Sequence, residues 1–440
     1  MDQLIPSLEN LLAPLDVAFR EEAFKMFCLT IGAWIVCLGR RSVSRVWETT
    51  GQSATRDHSA AFRLFSAAVG NWDEVGRLLI LAIVAQLVPG MRIWLVVDDT
   101  LCHKRGAKVA FGGIFLDAVL STRRHKVFRF GNNWVLLGII VQLPFRKDRY
   151  FCLPSLWRIY QKQGKKSRSA HRSKSQLAAE LVNQFARWFP GRKIQVVGDC
   201  AYVGQHLLRG REANVEVIGP IRWDAALSLP LVPGSDRRRK KGDRLPTPKA
   251  MLADDRRWPA RDLAIPFPKG KRRLQVKVIK DVCWYQAAGS QPVQLILVRD
   301  PQGEWRDEAL VSTDQTLTAK EVIIGYCRRW SVEVAFCDSK QMLGFHDPQV
   351  WCANSVERAA PMSWFIGSLV VLWYAIAGRA GEQAQRHRPW YHHKPEPTFA
   401  DMLGTCRLHL WRHWLSAGRG SRADREAKRE WLLEYVATAT

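Results

Sequence analysis

Two short aliphatic runs, each leading into an aspartate, constrain this chain more than any other feature. Ile93-Trp94-Leu95-Val96-Val97 runs into Asp98-Asp99-Thr100, and Lys193-Ile194-Gln195-Val196-Val197 runs into Gly198-Asp199. A continuous apolar run of this length is the pattern of a buried strand. Between them lie apolar, β-branched stretches at Asn133 to Leu143 and Arg149 to Leu153, and a helical pattern from Ser175 to Phe189. The order strand cluster, helix, strand predicts a mixed α/β layer.

The flanking regions have other textures. Residues 1 to about 90 show apolar residues at helical spacing over Glu21 to Leu38 and Ala60 to Leu87, and Pro89-Gly90 stops the second helix. Ser42 to Arg56, rich in Arg, Ser and Thr, lies between them. This suits a small DNA-binding helical domain, and equally any helical bundle. Between 214 and 315 the pattern turns to β, with strand signals at Val215 to Ile221, Leu274 to Ile279, Cys283 to Ala287 and Val293 to Val298. It reads as a β-rich insertion. Helix resumes at Thr318, and residues 376 to 440 are polar and helical with a basic loop around Arg386 to Lys394. The apolar run Met362 to Ala377 is shorter than the roughly 20 residues that span a bilayer and reads as a buried helix. No membrane partner is expected.

Composition narrows the function classes. Sixty-six Lys and Arg residues against 41 Asp and Glu give a net charge of +25. A chain this basic expects a polyanionic partner, most simply nucleic acid. Two basic runs would track phosphates. One holds Lys162, Lys165, Lys166, Arg168, His171, Arg172 and Lys174; the other is centred on Arg237, Arg238, Arg239, Lys240 and Lys241. Each also reads as a solvated charged loop. The ten cysteines form no CxxC pair, so neither a zinc site nor a disulfide framework is signalled, and reduced thiols in a cytoplasmic setting are expected. The first residues, with Asp2 and Glu9, do not form a secretory leader. There is no GxxxxGK[ST] loop and no HExxH, so ATP hydrolysis and zinc proteolysis are not suggested.

A third element carries chemistry. Tyr326, Arg329, Glu333 and Lys340 are spaced by three, four and seven positions, which returns them to one face of a helix. Alone, such a stripe also reads as an amphipathic helix with an intrahelical ion pair. With Asp98 and Asp199 it makes three carboxylates, a hard-oxygen set suited to Mg²⁺ or Mn²⁺. Two such ions promote in-line displacement at phosphorus. Either aspartate alone reads as a turn or cap residue. Asp98 and Asp99 would point to opposite faces of a strand, so only one can join the set.

Together these residues resemble the bacterial insertion-sequence transposases of the DDE type, in the cut-and-paste group with a Tyr-Arg-Glu-Lys signature. The matching residues are Asp98-Asp99-Thr100, Val196 through Tyr202, and Tyr326 through Lys340. The resemblance covers about 90 to 350. It implies an RNase H-like catalytic core, a mixed sheet flanked by helices, interrupted by the β-rich insertion and flanked by helical N- and C-terminal regions. The implied division is 1–90 helical DNA-binding, 91–213 core, 214–315 insertion, 316–375 core and 376–440 helical, with a dimerising role. Asp98, which the family's Asp-any-Thr pattern selects over Asp99, would hold two divalent metals with Asp199 and Glu333. Tyr326, Arg329 and Lys340 would hold phosphates of the element's end. The implied partners are double-stranded DNA, as terminal inverted repeats and target, and a second copy of the chain on that DNA, in the bacterial cytoplasm at the nucleoid. Relatives that make hairpins stack a flipped base on an aromatic of the insertion; Trp223, Trp284 and Trp305 are the residues to consider, each also reading as a packing residue. Two other readings remain: a DNA-binding protein derived from a transposase, and another RNase H-like nuclease.

Overall fold

The apolar runs of the middle of the chain assemble into one ten-stranded mixed sheet. The computed structural model describes residues 4–52, 57–67, 71–163, 171–232, 238, 240–267, 270–381, 396–416 and 422–438. Lys165, Lys166, Arg168 and Arg239, and the basic stretch 386–394, lie outside the described residues. The strands are β1 (Arg92–His103), β2 (Gly113–Leu116), β3 (Phe128–Leu143), β4 (Arg146–Tyr160), β5 (Lys193–Val197), β6 (Val215–Pro220), β7 (Arg261–Phe267), β8 (Gly270–Cys283), β9 (Pro292–Arg299) and β10 (Glu308–Ser312). Their order is β2-β3-β1-β5-β6-β10-β9-β8-β7, with β4 also paired to β3. β1, β5 and β6 are mutually parallel, and the other pairings are antiparallel.

β1 is longer than its aliphatic run. Its parallel pairing with β5 stops at Val96 and Val197, but its antiparallel pairing with β3 continues to His103 opposite Gly131. Asp98 and Asp99 therefore lie inside the strand, several residues short of its end, and as strand neighbours they face opposite ways. β3 satisfies the backbone on one side, while the other side of β1 opens just where the acidic pair begins.

Helices cover both faces. Lys174–Trp188 packs on β1, β3 and β4, and its start is fixed by a capping box between Ser173 and Gln176. Successive β1 side chains point to opposite faces. Asp99 meets Lys174 and Asp98 meets Arg329, so the helix Trp330–Met342 lies on the other face. Beneath it runs the almost wholly buried helix Met362–Ile376. An 18-residue window within Ala353–Ile376 has a mean hydropathy of 1.6, enough to cross a membrane by length and composition, yet 83% of it is buried in the fold.

The N-terminal helices share this core. Phe27 meets Phe365 edge-on at 5.5 Å, and Trp34 Nε1 donates to the Leu343 carbonyl at 2.9 Å. The single helix expected over Ala60 to Leu87 is instead two, Ser59–Ser66 and Trp72–Leu87. Asn71 caps the second, its side chain accepting from Glu74 N–H at 3.2 Å. A cap residue needs extended backbone, and that interrupts the periodicity. At the other end of the chain, the Tyr435 hydroxyl accepts from Leu38 N–H at 2.9 Å, tying the helix Arg422–Ala437 to the N-terminal region.

The β-rich region extends the same sheet rather than forming a separate one: β6, β10, β9, β8 and β7 follow β5 in order. The strand expected at Cys283 to Ala287 does not form. Cys283 closes β8, and the N–H groups of Ala287 and Ala288 turn back to the Trp284 carbonyl at 3.0 and 2.7 Å. β7 and β10 are not legible as strands from local pattern. β7 contains Pro266, which weakens a strand signal, and β10 is only five residues long.

Candidate catalytic site

The site forms where β1 leaves β5. Asp98 is 8% exposed, and its Oδ2 accepts from Arg329 Nη1 at 3.0 Å. The same Arg329 nitrogen reaches Glu333 Oε1 at 3.5 Å. Asp199 follows β5 directly, in the turn beside β1, and its Oδ1 accepts from Ala201 N–H at 2.8 Å. Burial, together with the charges of Asp199 and Glu333 and opposed by Arg329, pushes the Asp98 carboxyl up to about 7. Three acidic groups thus act on one another here, with Arg329 bonded to two of them. That Arg329 stays charged follows from the same neighbours: burial acts against its charge, but Asp98, Tyr326, Glu333 and Asp199 outweigh it.

Two residues along β1, on the same face, Thr100 accepts from Lys340 Nζ at 2.7 Å. Burial pushes the Lys340 ammonium down, with Asp117, Cys102 and Glu333 acting against that. Tyr326 lies 6.0 Å from the Arg329 guanidinium, and burial pushes its phenol up. Arg329, Glu333, Lys340 and Tyr326 therefore all gather along the Asp98–Thr100 face.

They do not do so on one helix. The first helix ends at Cys327 and the next begins at Trp330 with Arg329 as its cap residue. Between them Arg329 N–H bonds to Tyr326 C=O and Val332 N–H to Arg329 C=O, both at 3.0 Å. These three-residue spacings tighten the turn. Arg328 explains the break. Its guanidinium is drawn inward over Trp94 at 4.1 Å and Tyr150 at 4.5 Å, leaving Arg329 to face Asp98. Gly325 permits this closeness, since a Cβ there would meet the Trp94 ring at 2.7 Å.

Asp99 looks the other way, and its partners are not foreseen in the sequence reading. Its Oδ2 takes Lys174 Nζ at 2.5 Å and its Oδ1 takes the Tyr202 hydroxyl at 2.5 Å. Tyr202 is 1% exposed, and burial followed by the Asp99 charge pushes its phenol strongly up. Its N–H also bonds to the Asp199 carbonyl at 3.1 Å. Asp99 thus pins the turn that carries Asp199 to the strand that carries Asp98. The Tyr three positions after Asp199 is the available signal, already present in the Val196–Tyr202 match.

The other expected DNA contacts are dispersed. Arg172 pairs with Glu180 at 2.7 Å on the surface, and Lys174 is spent on Asp99. Arg238 and Lys240 are exposed, far along the chain from β1. Trp223, Trp284 and Trp305 are partly buried against the core. Farther along β1, His103 hydrogen-bonds with Asp117 at 2.5 Å and stacks on His346 at 4.8 Å. Burial pushes His346 down to about 3, so it is neutral beside Lys340 and Lys104. Nothing in the sequence marks this imidazole pair.

No curated protein matches the chain significantly. A family model described as "DDE superfamily endonuclease" matches residues 14–289, more than half the chain. The match takes in Asp98 and Asp199 and ends before Glu333. With the paired strands that carry those two aspartates, it establishes that the chain belongs to the DDE superfamily endonucleases.

Proposed function

We propose that this endonuclease is a DNA transposase of the cut-and-paste group with the Tyr-Arg-Glu-Lys signature, working through an RNase H-like core. The supporting observation is the gathering of Asp98, Asp199 and Glu333 around Arg329; burial, then the charges of Asp199 and Glu333, push the Asp98 carboxyl up to about 7 against the pull of Arg329. A buried Asp98 with half-buried Asp199 and exposed Glu333 beside it asks for a cation. The donor chemistry fits Mg²⁺ or Mn²⁺, because all three groups offer hard oxygens. The cage is not closed. Among the described residues no three acidic, imidazole or thiol groups are close enough to hold an ion as they stand, and Arg329 bridges two of the carboxylates.

When bound at these carboxylates, divalent ions supply Lewis acidity toward the attacking and leaving oxygens of a phosphodiester. The chain's own residues do the rest. Arg329, Lys340 and Tyr326 offer a guanidinium, an ammonium and a phenol to phosphate oxygens along the Asp98–Thr100 face. Thr100 holds Lys340 in place. In this reading cleavage at an element's end frees a 3′-hydroxyl that is joined to target DNA, directly or through a hairpin. The helical region 1–90 and the insertion 214–315 contact DNA, helices of 376–440 join two copies on it, and the protein works at the bacterial nucleoid.

The experiment is Mg²⁺-dependent cleavage and joining of labelled DNA carrying the flanking ends of the encoding element, with wild type and Glu333→Gln. End-specific cuts and joined products that vanish in the variant, while DNA binding survives, are expected. Cuts without joined products would favour another RNase H-like nuclease. Tight binding with no cleavage by the wild type would favour a DNA-binding protein without this chemistry.

A further inference from the structure

Beyond Thr100, β1 and β3 continue as an arm past the end of β5, with β2 along its outer edge. From residue 104 to 129 this arm carries Arg105, Lys108, Arg123, Arg124, Lys126 and Arg129, all exposed. None of the six has an ion-pair partner among the described residues. The stretch contains one acid, Asp117, which is 2% exposed and paired with His103. Surface charges ordinarily alternate in sign or pair off locally. Here the only anion is buried, so the exterior of the arm is purely positive.

The arm's placement gives that charge a use. His103 lies five residues beyond Asp98 on the same strand. At about 3.3 Å per residue this is about 17 Å along β1. A duplex rises about 3.4 Å per base pair, so DNA held at Asp98 and following β1 reaches the base of the arm after about five base pairs, and reaches Phe128, eight residues along β3 from the Leu136 that pairs with Asp98, after about eight. Lys162 donates to the Ile114 carbonyl and lies 4.9 Å from the Phe115 ring, which adds one more cation beside the arm. Ile114, Leu116 and Phe128 lie on one face of the β2–β3 ladder and are 59%, 45% and 59% exposed. Cations beside exposed apolar side chains suit the phosphate-and-sugar surface of a duplex.

We propose that the arm 104–129 is a duplex-binding clamp that grips the sugar-phosphate backbone about eight base pairs from the phosphate held along the Asp98–Thr100 face. The inference rests on the DNA-cleaving reading above for where the duplex lies. It assigns to the arm a phosphate-holding role that the motif residues do not fill.

The test combines Arg123→Ala, Arg124→Ala and Lys126→Ala in the full chain. Binding to a duplex carrying one element end is measured in Ca²⁺ buffer over a range of salt, with hydroxyl-radical footprinting. Removing one cation from a phosphate lowers the slope of log K against log salt by about 0.9, so a decrease of up to about 2.7 is expected. Backbone protection about eight base pairs from the cleavage position should fade as well. Arg123→Lys with Arg124→Lys should keep the slope, since the charge survives. An unchanged slope and footprint in a variant with the wild-type circular dichroism would overturn the proposal. So would a variant that loses self-association yet keeps its DNA slope, which would make the arm a contact between copies. Wild-type protein that binds DNA but never cuts it in Mg²⁺ or Mn²⁺ would defeat the catalytic reading and leave the slope comparison standing.

Discussion

Asp98 offers a quantitative test of the site. Its carboxyl moves from an ordinary 3.8 to about 7, because burial and then Asp199 disfavour its charge more than Arg329 favours it. An acid whose pKa rises on folding binds its proton more tightly in the native chain than in the unfolded one. Stability is therefore highest below about pH 4, falls as pH climbs toward about 7, and levels off above that. The gap of about 3 units, at about 1.4 kcal/mol each, amounts to about 4 kcal/mol at full ionisation. Asp98→Asn removes this titration and keeps the shape and one acceptor, while Glu333 and Asp199 still balance Arg329. Urea unfolding in a chelator should give the variant and wild type similar midpoints near pH 4. At pH 8 the variant should be the more stable by up to about 4 kcal/mol. Added Mg²⁺ should narrow the gap by stabilising only the wild type, by about 2.7 kcal/mol at a hundredfold excess over its dissociation constant. Parallel profiles for the two proteins from pH 4 to 8 would refute the reasoning, because Arg329 alone would then be neutralising Asp98.

Two further substitutions probe the supports of the site. Tyr202→Phe deletes the hydroxyl that ties the Asp199 turn to Asp99; it should cost about 1.5–3 kcal/mol in urea unfolding and raise the Mg²⁺ concentration for half-maximal cleavage, whereas a stability loss with no change in Mg²⁺ demand would leave Tyr202 a packing residue only. Gly131→Ala would drive a Cβ into the Cys102 carbonyl oxygen, a backbone atom that cannot step aside; the arm should separate from β1, seen as new proteolytic cuts within 104–129 and a loss of about 1–3 kcal/mol, and an unaltered digestion pattern would count against the register of β1 on β3.

How much is legible depends on whether a signal is local. The runs 93–97 and 193–197 are largely buried on both faces, so most of their side chains are aliphatic and the strands can be read directly, even though Gln195 is buried among them. The start of the helix at Thr318 is equally plain, because its capping box is written within four residues. The helix expected across Ala60 to Leu87 divides because Asn71, an ordinary polar residue in a helical pattern, acts as a cap only in its tertiary setting. The stripe Tyr326–Lys340 has the right members but a different scaffold from the one expected. A pair of aromatic rings contributed by β1 and β4 draws Arg328 inward and bends the helix.

The sequence by itself determined the kinds of group present and their order: two aspartates after aliphatic runs, a later Tyr-Arg-Glu-Lys spacing, and a strongly basic chain. These are properties of single residues and short periods, and no neighbour is needed to define them. The Asp-any-Thr resemblance favours Asp98; only the tertiary structure decided what each of the two aspartates meets. β3 carries β1 onward past the end of β5, and the pleat then turns Asp98 to Arg329 and Asp99 to Lys174 and Tyr202. It also made Asp98 reluctant to ionise, since that reluctance comes from burial and from carboxylates 101 and 235 positions away in the chain. Distances of that kind are closed by the fold, and no local pattern records them.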